Sequence, residues 1–310
     1  MSVVSARTLA IPRNRHPSLL AAVRDTVPDL WELTKPEVNL LILVATFTGF
    51  YLGHPRGLSP FAFERLFHVL LGTLLVASGA GALNQCLEYG FDARMRRTSR
   101  RPVAAGRLSP VSAFWFGMSL AVIGAAYLSV FSNILATSLA VVTLASYLFI
   151  YTPLKRKTPL CTVAGAFAGA TPPLIGWAAA CGSIASAQPW ILYSMLFFWQ
   201  FPHFMAIAWM YREDYDRAGY FVLPARSKNA FLAWFTAVPS IALLLASFAA
   251  IQHADDRILP LCASLILGLG LLFYVRRLMA LRSKAAARQL LKATIGYLLL
   301  QVLVLTVAKR

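Results

Sequence analysis

Asn84, Glu88 and Asp92 recur at every fourth residue. On a helix of 3.6 residues per turn, each step of four drifts by only about 40°. Three oxygen-bearing side chains therefore share one face. Such hard oxygen ligands suit Mg²⁺, which keeps some of its waters and shares phosphate oxygens. Asn84 and Glu88 begin inside an apolar run, where ionisable groups are costly and usually functional. Arg96, Arg97, Arg100 and Arg101 follow, and Arg96 and Arg100 extend the stripe if the helix continues. Guanidinium groups grip phosphate oxygens in pairs. Acid and base in one stripe is the composition of a magnesium–diphosphate site. The plainer alternative is a helix end in which Glu88 or Asp92 pairs with Arg96.

A second polar group lies between Phe198 and Gly219. Asp214 comes eleven residues after His203, three turns on, so both can face one cavity at different depths. Glu213 and Asp216 point elsewhere and pair with Arg212 or Arg217. Gln200 and His203 form a polar pair in an apolar run and need partners there. His203 follows Pro202, where a helix can kink. It reads either as an interhelical hydrogen-bonded histidine or as a substrate contact, and neutral imidazole is also an iron ligand. Lys155 and Arg156, within Tyr151–Pro159, have the reach and charge to hold diphosphate. They also serve as an ordinary topology signal.

These groups must be placed by membrane helices. Of 310 residues, 58% are hydrophobic and 13% charged, against about 25% charged in a soluble domain. Nine apolar runs, at approximately 37–53, 66–87, 111–131, 133–151, 160–182, 190–210, 230–251, 258–275 and 293–308, are each long enough to approach or complete a crossing. A tight polar turn near Ser132 and Asn133 divides the third from the fourth. The fold class is therefore all-α, a polytopic nine-helix bundle over residues 37–310 behind a cytoplasmic tail, 1–36. Basic residues set the orientation. With the N-terminus inside, 24 of the 29 Lys and Arg residues are cytoplasmic, and only Arg56, Arg65, Arg257, Lys309 and Arg310 are outside. Both polar groups then face the cytoplasm. The net charge of +17 sits in short loops rather than on one soluble face, which excludes nucleic acid as a partner. Cys86, Cys161, Cys181 and Cys262 form no CxxC pair, so neither a disulfide framework nor a zinc site is expected. The tail lacks the apolar core of a signal peptide. Its arginines also permit a mitochondrial transit peptide, but a bacterial cytoplasmic tail is simpler.

The chain resembles the UbiA superfamily of intramembrane prenyltransferases, and within it the branch that farnesylates heme. The resemblance rests on Asn84-x3-Glu88-x3-Asp92, on Arg96-Arg97-Thr98-x-Arg100-Arg101-Pro102 and on Tyr151-Thr152-x2-Lys155-Arg156-x-Thr158-Pro159. It rests also on Trp199-Gln200-x-Pro202-His203 with Arg212-Glu213-Asp214-Tyr215-x-Arg217-x-Gly219. It implies a helical bundle whose central cavity opens toward the cytoplasmic face. It implies a reaction too: farnesyl moves from farnesyl diphosphate to the 2-vinyl group of protoheme IX, water adds, and heme O and diphosphate result. Mg²⁺ would be held by Asn84, Glu88, Asp92 and Asp214, which are also the catalytic set. Diphosphate would be held by Arg96, Arg97, Arg100, Arg101, Lys155, Arg156 and Arg212, and heme by His203 and Gln200. Implied partners are the lipid bilayer and heme A synthase or terminal-oxidase assembly factors. The implied location is the bacterial inner (plasma) membrane, with the mitochondrial inner membrane as alternative. Two departures stand out. Gln85 follows Asn84 where quinone-pathway members carry Asp, and Met210 and Ala218 flank Asp214 at the four-residue spacing. Both favour the heme branch and leave Asp214 as the one acid assigned to the second motif. The alternatives are an aromatic or chlorin acceptor, a transporter and a non-catalytic heme-handling protein. Acids gathered at one membrane face and followed by arginines suit a diphosphate better than a transport relay.

Overall fold

The computed structural model describes residues 19–54, 60–223, 228–252 and 257–309. Arg7, Arg13, Arg15, Arg56, Arg226 and Arg310 of the charge count lie outside these residues. Every regular element described is helical. They are α1 (Leu19–Leu33), α2 (Pro36–Gly53), α3 (Pro60–Asp92), α4 (Pro110–Phe131), α5 (Ile134–Ala145), α6 (Thr152–Leu154), α7 (Cys161–Gly169), α8 (Pro172–Cys181), α9 (Ala187–Met210), α10 (Arg212–Ala218), α11 (Lys228–Ile251), α12 (Ile258–Leu281) and α13 (Lys284–Ala308). A π-helical turn, Ser146–Tyr151, joins α5 to α6 into one rod. Among the described residues nine spans are long and apolar enough to cross a membrane. They correspond to the nine apolar runs, so this is a multi-span membrane protein.

Local chemistry sets several ends. Ser109 accepts from the Ser112 amide ahead of α4, Asn133 from Ala136 ahead of α5, and Ser283 from Ala286 ahead of α13. Each satisfies an amide that the helix leaves unpaired. Helices outrun the apolar runs where polar residues continue them. α13 begins at Lys284 and α3 carries Glu88 and Asp92 within it. The expected tail contains α1, tied down by Arg107, which bonds Asp29 Oδ1 at 2.8 Å and Glu32 Oε2 at 3.1 Å. α9 runs on through Pro202.

The fifth span is broken into α7 and α8 at Ala170–Thr171, just before Pro172 and Pro173, which lack amide donors. It is also the most enclosed, with 72% of its most apolar stretch buried. α2 packs on α8, α3 on α4, α9 on α11, and α12 on α13. Large apolar side chains such as Val130, Phe149, Leu259 and Ile266 point outward, as lipid requires. The α2–α8 contact is backbone to backbone. A Cβ on Gly176 would overlap the Thr46 carbonyl, and one on Gly49 the Pro173 carbonyl. Small residues permit this approach in membranes, where tight packing drives association. Gly176→Ala is therefore expected to destabilise the bundle by about 1–3 kcal/mol. Thermal unfolding in detergent checks this, and an unchanged midpoint would contradict the close approach.

Candidate active site

The end of α3 is a buried oxygen cluster. Asn84, Glu88 and Asp92 are each 2–3% exposed. Asn84 Nδ2 donates to Glu88 Oε2 at 2.9 Å and to Thr152 Oγ1 at 3.3 Å. The π-turn helps place that hydroxyl, which donates to the Tyr147 carbonyl at 2.9 Å. Lys155, just past α6, donates to Glu88 Oε1 and Oε2 at 2.9 and 2.8 Å. Arg101 Nη1 pairs with Asp92 Oδ2 at 2.8 Å. Burial alone would lower the Lys155 ammonium, but the Glu88 carboxylate outweighs it and holds it above the ordinary lysine value.

Lys35 completes the cluster, and its role had no local sequence signal. It sits between α1 and α2 with φ 54°, in the left-handed region, and donates to Asn84 Oδ1 at 2.7 Å. That backbone costs a side-chain-bearing residue roughly 1–2 kcal/mol and persists only where surroundings enforce it. Gln85 contributes to that enforcement, donating to the Leu33 and Glu32 carbonyls, each at 3.3 Å. An aspartate there could not donate, which gives the departure at Gln85 a physical meaning. Burial, then the charges of Arg101 and Lys155, push the Lys35 ammonium down to about 7.

α3 stops at Asp92, and the chain then turns through 93–108. The stripe therefore does not continue helically to Arg96 and Arg100, because Thr98 Oγ1 and Arg101 fold back onto Asp92 instead. Arg96, Arg97 and Arg100 are exposed beyond it. Arg156 donates to the Leu87 carbonyl at 3.2 Å and lies 4.0 Å from the Phe91 ring centre. It braces α3.

The second polar group reaches the same end. Asp214 Oδ1 takes Arg217 at 3.0 Å, and Oδ2 takes the Arg97 amide at 3.4 Å. The Phe221 amide donates to the Lys155 carbonyl at 2.8 Å. Arg212 bonds the Trp209 carbonyl at 3.1 Å and lies 3.7 Å from Glu213. Tyr220 is a further residue the sequence did not single out. It packs on Phe91 with ring centres 5.3 Å apart, and its buried hydroxyl, next to Glu88, has no partner within ordinary hydrogen-bond distance among the described residues. Burial first, then the carboxylates of Glu88 and Asp92, raise that hydroxyl far above the ordinary tyrosine value.

Gln200 and His203 bond to α7, α9 and α13 rather than to the acids. Gln200 Nε2 donates to the Ala166 and Leu196 carbonyls at 3.1 and 3.2 Å, bracing α7 against α9. His203 Nδ1 meets Thr294 Oγ1 at 2.9 Å, and its ring stacks on Trp199 at 4.6 Å. All four cysteines are free. Among the described residues no three His, Cys, Asp or Glu side chains gather as a metal cluster.

The nine apolar spans among the described residues, with a buried site of oxygens and ammonium groups at their end, define a polytopic membrane enzyme of the helical-bundle class. The model of the UbiA prenyltransferase family matches residues 42–299, and the chain belongs to that family: it is a prenyltransferase. It is 41% identical to a protoheme IX farnesyltransferase of Solibacter usitatus over 87% of this chain and 94% of that one. It is 39% identical to a protoheme IX farnesyltransferase of Koribacter versatilis over 94% of each. Among solved structures, one of digeranylgeranylglyceryl phosphate synthase superposes with a TM-score of 0.73, covering 92% of this chain and 99% of that one at 15% identity. A UbiA homologue from Archaeoglobus fulgidus bound to GPP and Mg²⁺ superposes at 0.62, covering 89% and 99% at 14% identity. These likenesses establish the fold.

Proposed function

We propose that the chain transfers farnesyl from farnesyl diphosphate to the 2-vinyl group of protoheme IX, with addition of water, giving heme O and diphosphate. One observation carries the site assignment. Asn84, Glu88 and Asp92, buried at the end of α3, gather Lys35, Lys155 and Arg101 around them. The protoheme acceptor is supported by the names of the relatives that span nearly the whole chain.

The donor set fits Mg²⁺. Amide and carboxylate oxygens are hard ligands, and the orphaned Tyr220 hydroxyl beside them leaves hydrogen-bonding capacity for a bound group. We assign the metal to Asn84, Glu88 and Asp92, with Asp214 from the second motif. When bound, Mg²⁺ supplies Lewis-acid neutralisation of the charge on diphosphate. Lys35, Lys155 and Arg101, with Arg96, Arg97, Arg100, Arg156 and Arg212 at the rim, stabilise the same leaving charge. The farnesyl C1–O bond breaks, and its electron pair leaves on diphosphate. The vinyl π pair bonds to C1, and water captures the cation formed beside the porphyrin and loses a proton. Tyr151 lies 4.6 Å from the Lys155 ammonium and stacks on Tyr147 at 5.3 Å, so π faces adjoin the place where positive charge develops. We place this end at the cytoplasmic face, from the distribution of basic residues, and the chain in a bacterial plasma membrane.

Mesoheme, which carries ethyl groups in place of vinyls, tests the acceptor. Purified protein with farnesyl diphosphate and Mg²⁺ should alkylate protoheme and not mesoheme. Equal reaction with both would refute attack by a vinyl group. We assign His203 to heme and leave Gln200 to helix bracing. His203→Ala should weaken heme binding, read by absorbance titration, with farnesyl diphosphate affinity kept. Loss of diphosphate affinity alone would move His203 to the donor site.

A further inference from the structure

Beside the oxygen cluster lies a cleft of ≈ 400 Å³, lined by Arg96, Arg97, Glu213, Asp214, Lys284 and Arg288. Its volume falls in the range of small-ligand sites. Its four cations exceed its two acids by two charges. Lys284 Nζ holds Glu213 Oε1 at 3.1 Å, and Asp214 is taken by Arg217 and the Arg97 amide. Arg96 and Arg288 make no side-chain hydrogen bond or ion pair among the described residues. Positive-inside topology asks for basic residues on this side, but not for their convergence on one cleft.

We propose that Lys284 and Arg288, in the first turns of α13, hold the propionate carboxylates of the acceptor porphyrin and so select acceptor rather than donor. This rests on the protoheme reading above. The donor's cations are already assigned: Lys155 and Arg101 stand on Glu88 and Asp92, and Arg96 and Arg97 face the diphosphate at the rim, which leaves Lys284 and Arg288. Lys284 enters the cleft through Glu213 instead. Lys284 and Arg288 are two cations for two propionates, and carboxylate bound to guanidinium or ammonium is a strong, charge-assisted contact. α13 also carries Thr294, which holds His203. From Arg288 to Thr294 is about 9 Å along a helix, of the order of a porphyrin's width. One helix thus connects the anion cleft to the imidazole.

The test is Lys284→Ala/Arg288→Ala against wild type, with protoheme and its dimethyl ester, whose propionates carry no charge. Heme binding is titrated by absorbance, and KM is measured for heme and for farnesyl diphosphate. The double variant should bind protoheme about 10–10²-fold more weakly, the loss of one to two charged contacts at the weak end of their range. Its preference for the diacid over the ester should collapse, while KM for farnesyl diphosphate stays near the wild-type value. Lys284→Arg, which keeps the charge, should retain the preference. An unchanged protoheme affinity, an equal loss against the ester, or a rise confined to farnesyl diphosphate would each overturn the assignment. Failure of the wild type to bind any heme saturably would instead sink the functional reading, and this assignment with it.

Discussion

Glu88→Gln is expected to lower protoheme farnesylation by about 10²-fold or more in kcat, the usual effect of removing one group aimed at charge that develops in the transition state. The carboxylate is 3% exposed and receives Lys155 on both oxygens, at 2.9 and 2.8 Å, and Asn84 at 2.9 Å. Glutamine keeps the shape but loses the charge. A hard cation loses an anionic ligand, and the buried Lys155 ammonium loses its counter-charge. The measurement is steady-state turnover across a Mg²⁺ titration, with far-ultraviolet circular dichroism confirming the helical fold. A folded variant that keeps the wild-type rate at low Mg²⁺ would show that the metal and diphosphate lie elsewhere.

Lys155→Met should lower kcat/KM for farnesyl diphosphate by about 10–10²-fold, since a charge-assisted hydrogen bond contributes about 1.5–3 kcal/mol. Methionine keeps much of the apolar stem and removes the ammonium. Lys155 reaches the site because the π-turn and α6 deliver it to α3, and its carbonyl is tied to the Phe221 amide. Lys155→Arg should recover part of the loss. Should Lys155→Met change KM for protoheme and not for farnesyl diphosphate, the donor would have to sit outside this cluster.

Much of this was legible in local sequence because membranes make it local. Nine spans show as apolar runs, since the bilayer asks each to hide its own backbone. The face shared by Asn84, Glu88 and Asp92 follows from helix periodicity alone, and Lys155 was marked by charge. What stayed hidden depends on distant contacts. Lys35 meets Asn84 across 49 positions, and no periodicity links them. A lysine before a proline looked like a topology charge, and its left-handed backbone shows only in the structure. Arg101, rather than Arg96, reaches Asp92 because α3 stops there, and only the fold-back of 93–108 decides which arginine returns. Tyr220 lies in a short segment after α10 with no motif of its own. Gln200 is a further case. A polar residue in an apolar run needs a partner, and the Gln200 amide nitrogen meets the Ala166 carbonyl across 34 positions, a contact that no local pattern announces.

The most direct measurement is mass analysis of heme extracted after incubating the purified protein with protoheme, farnesyl diphosphate and Mg²⁺ in heavy-oxygen water. The expected product is heme carrying one farnesyl group and one oxygen drawn from the solvent, formed with release of diphosphate and lost when Mg²⁺ is chelated. Unaltered heme beside released diphosphate, or a farnesylated heme without solvent oxygen, would contradict the account.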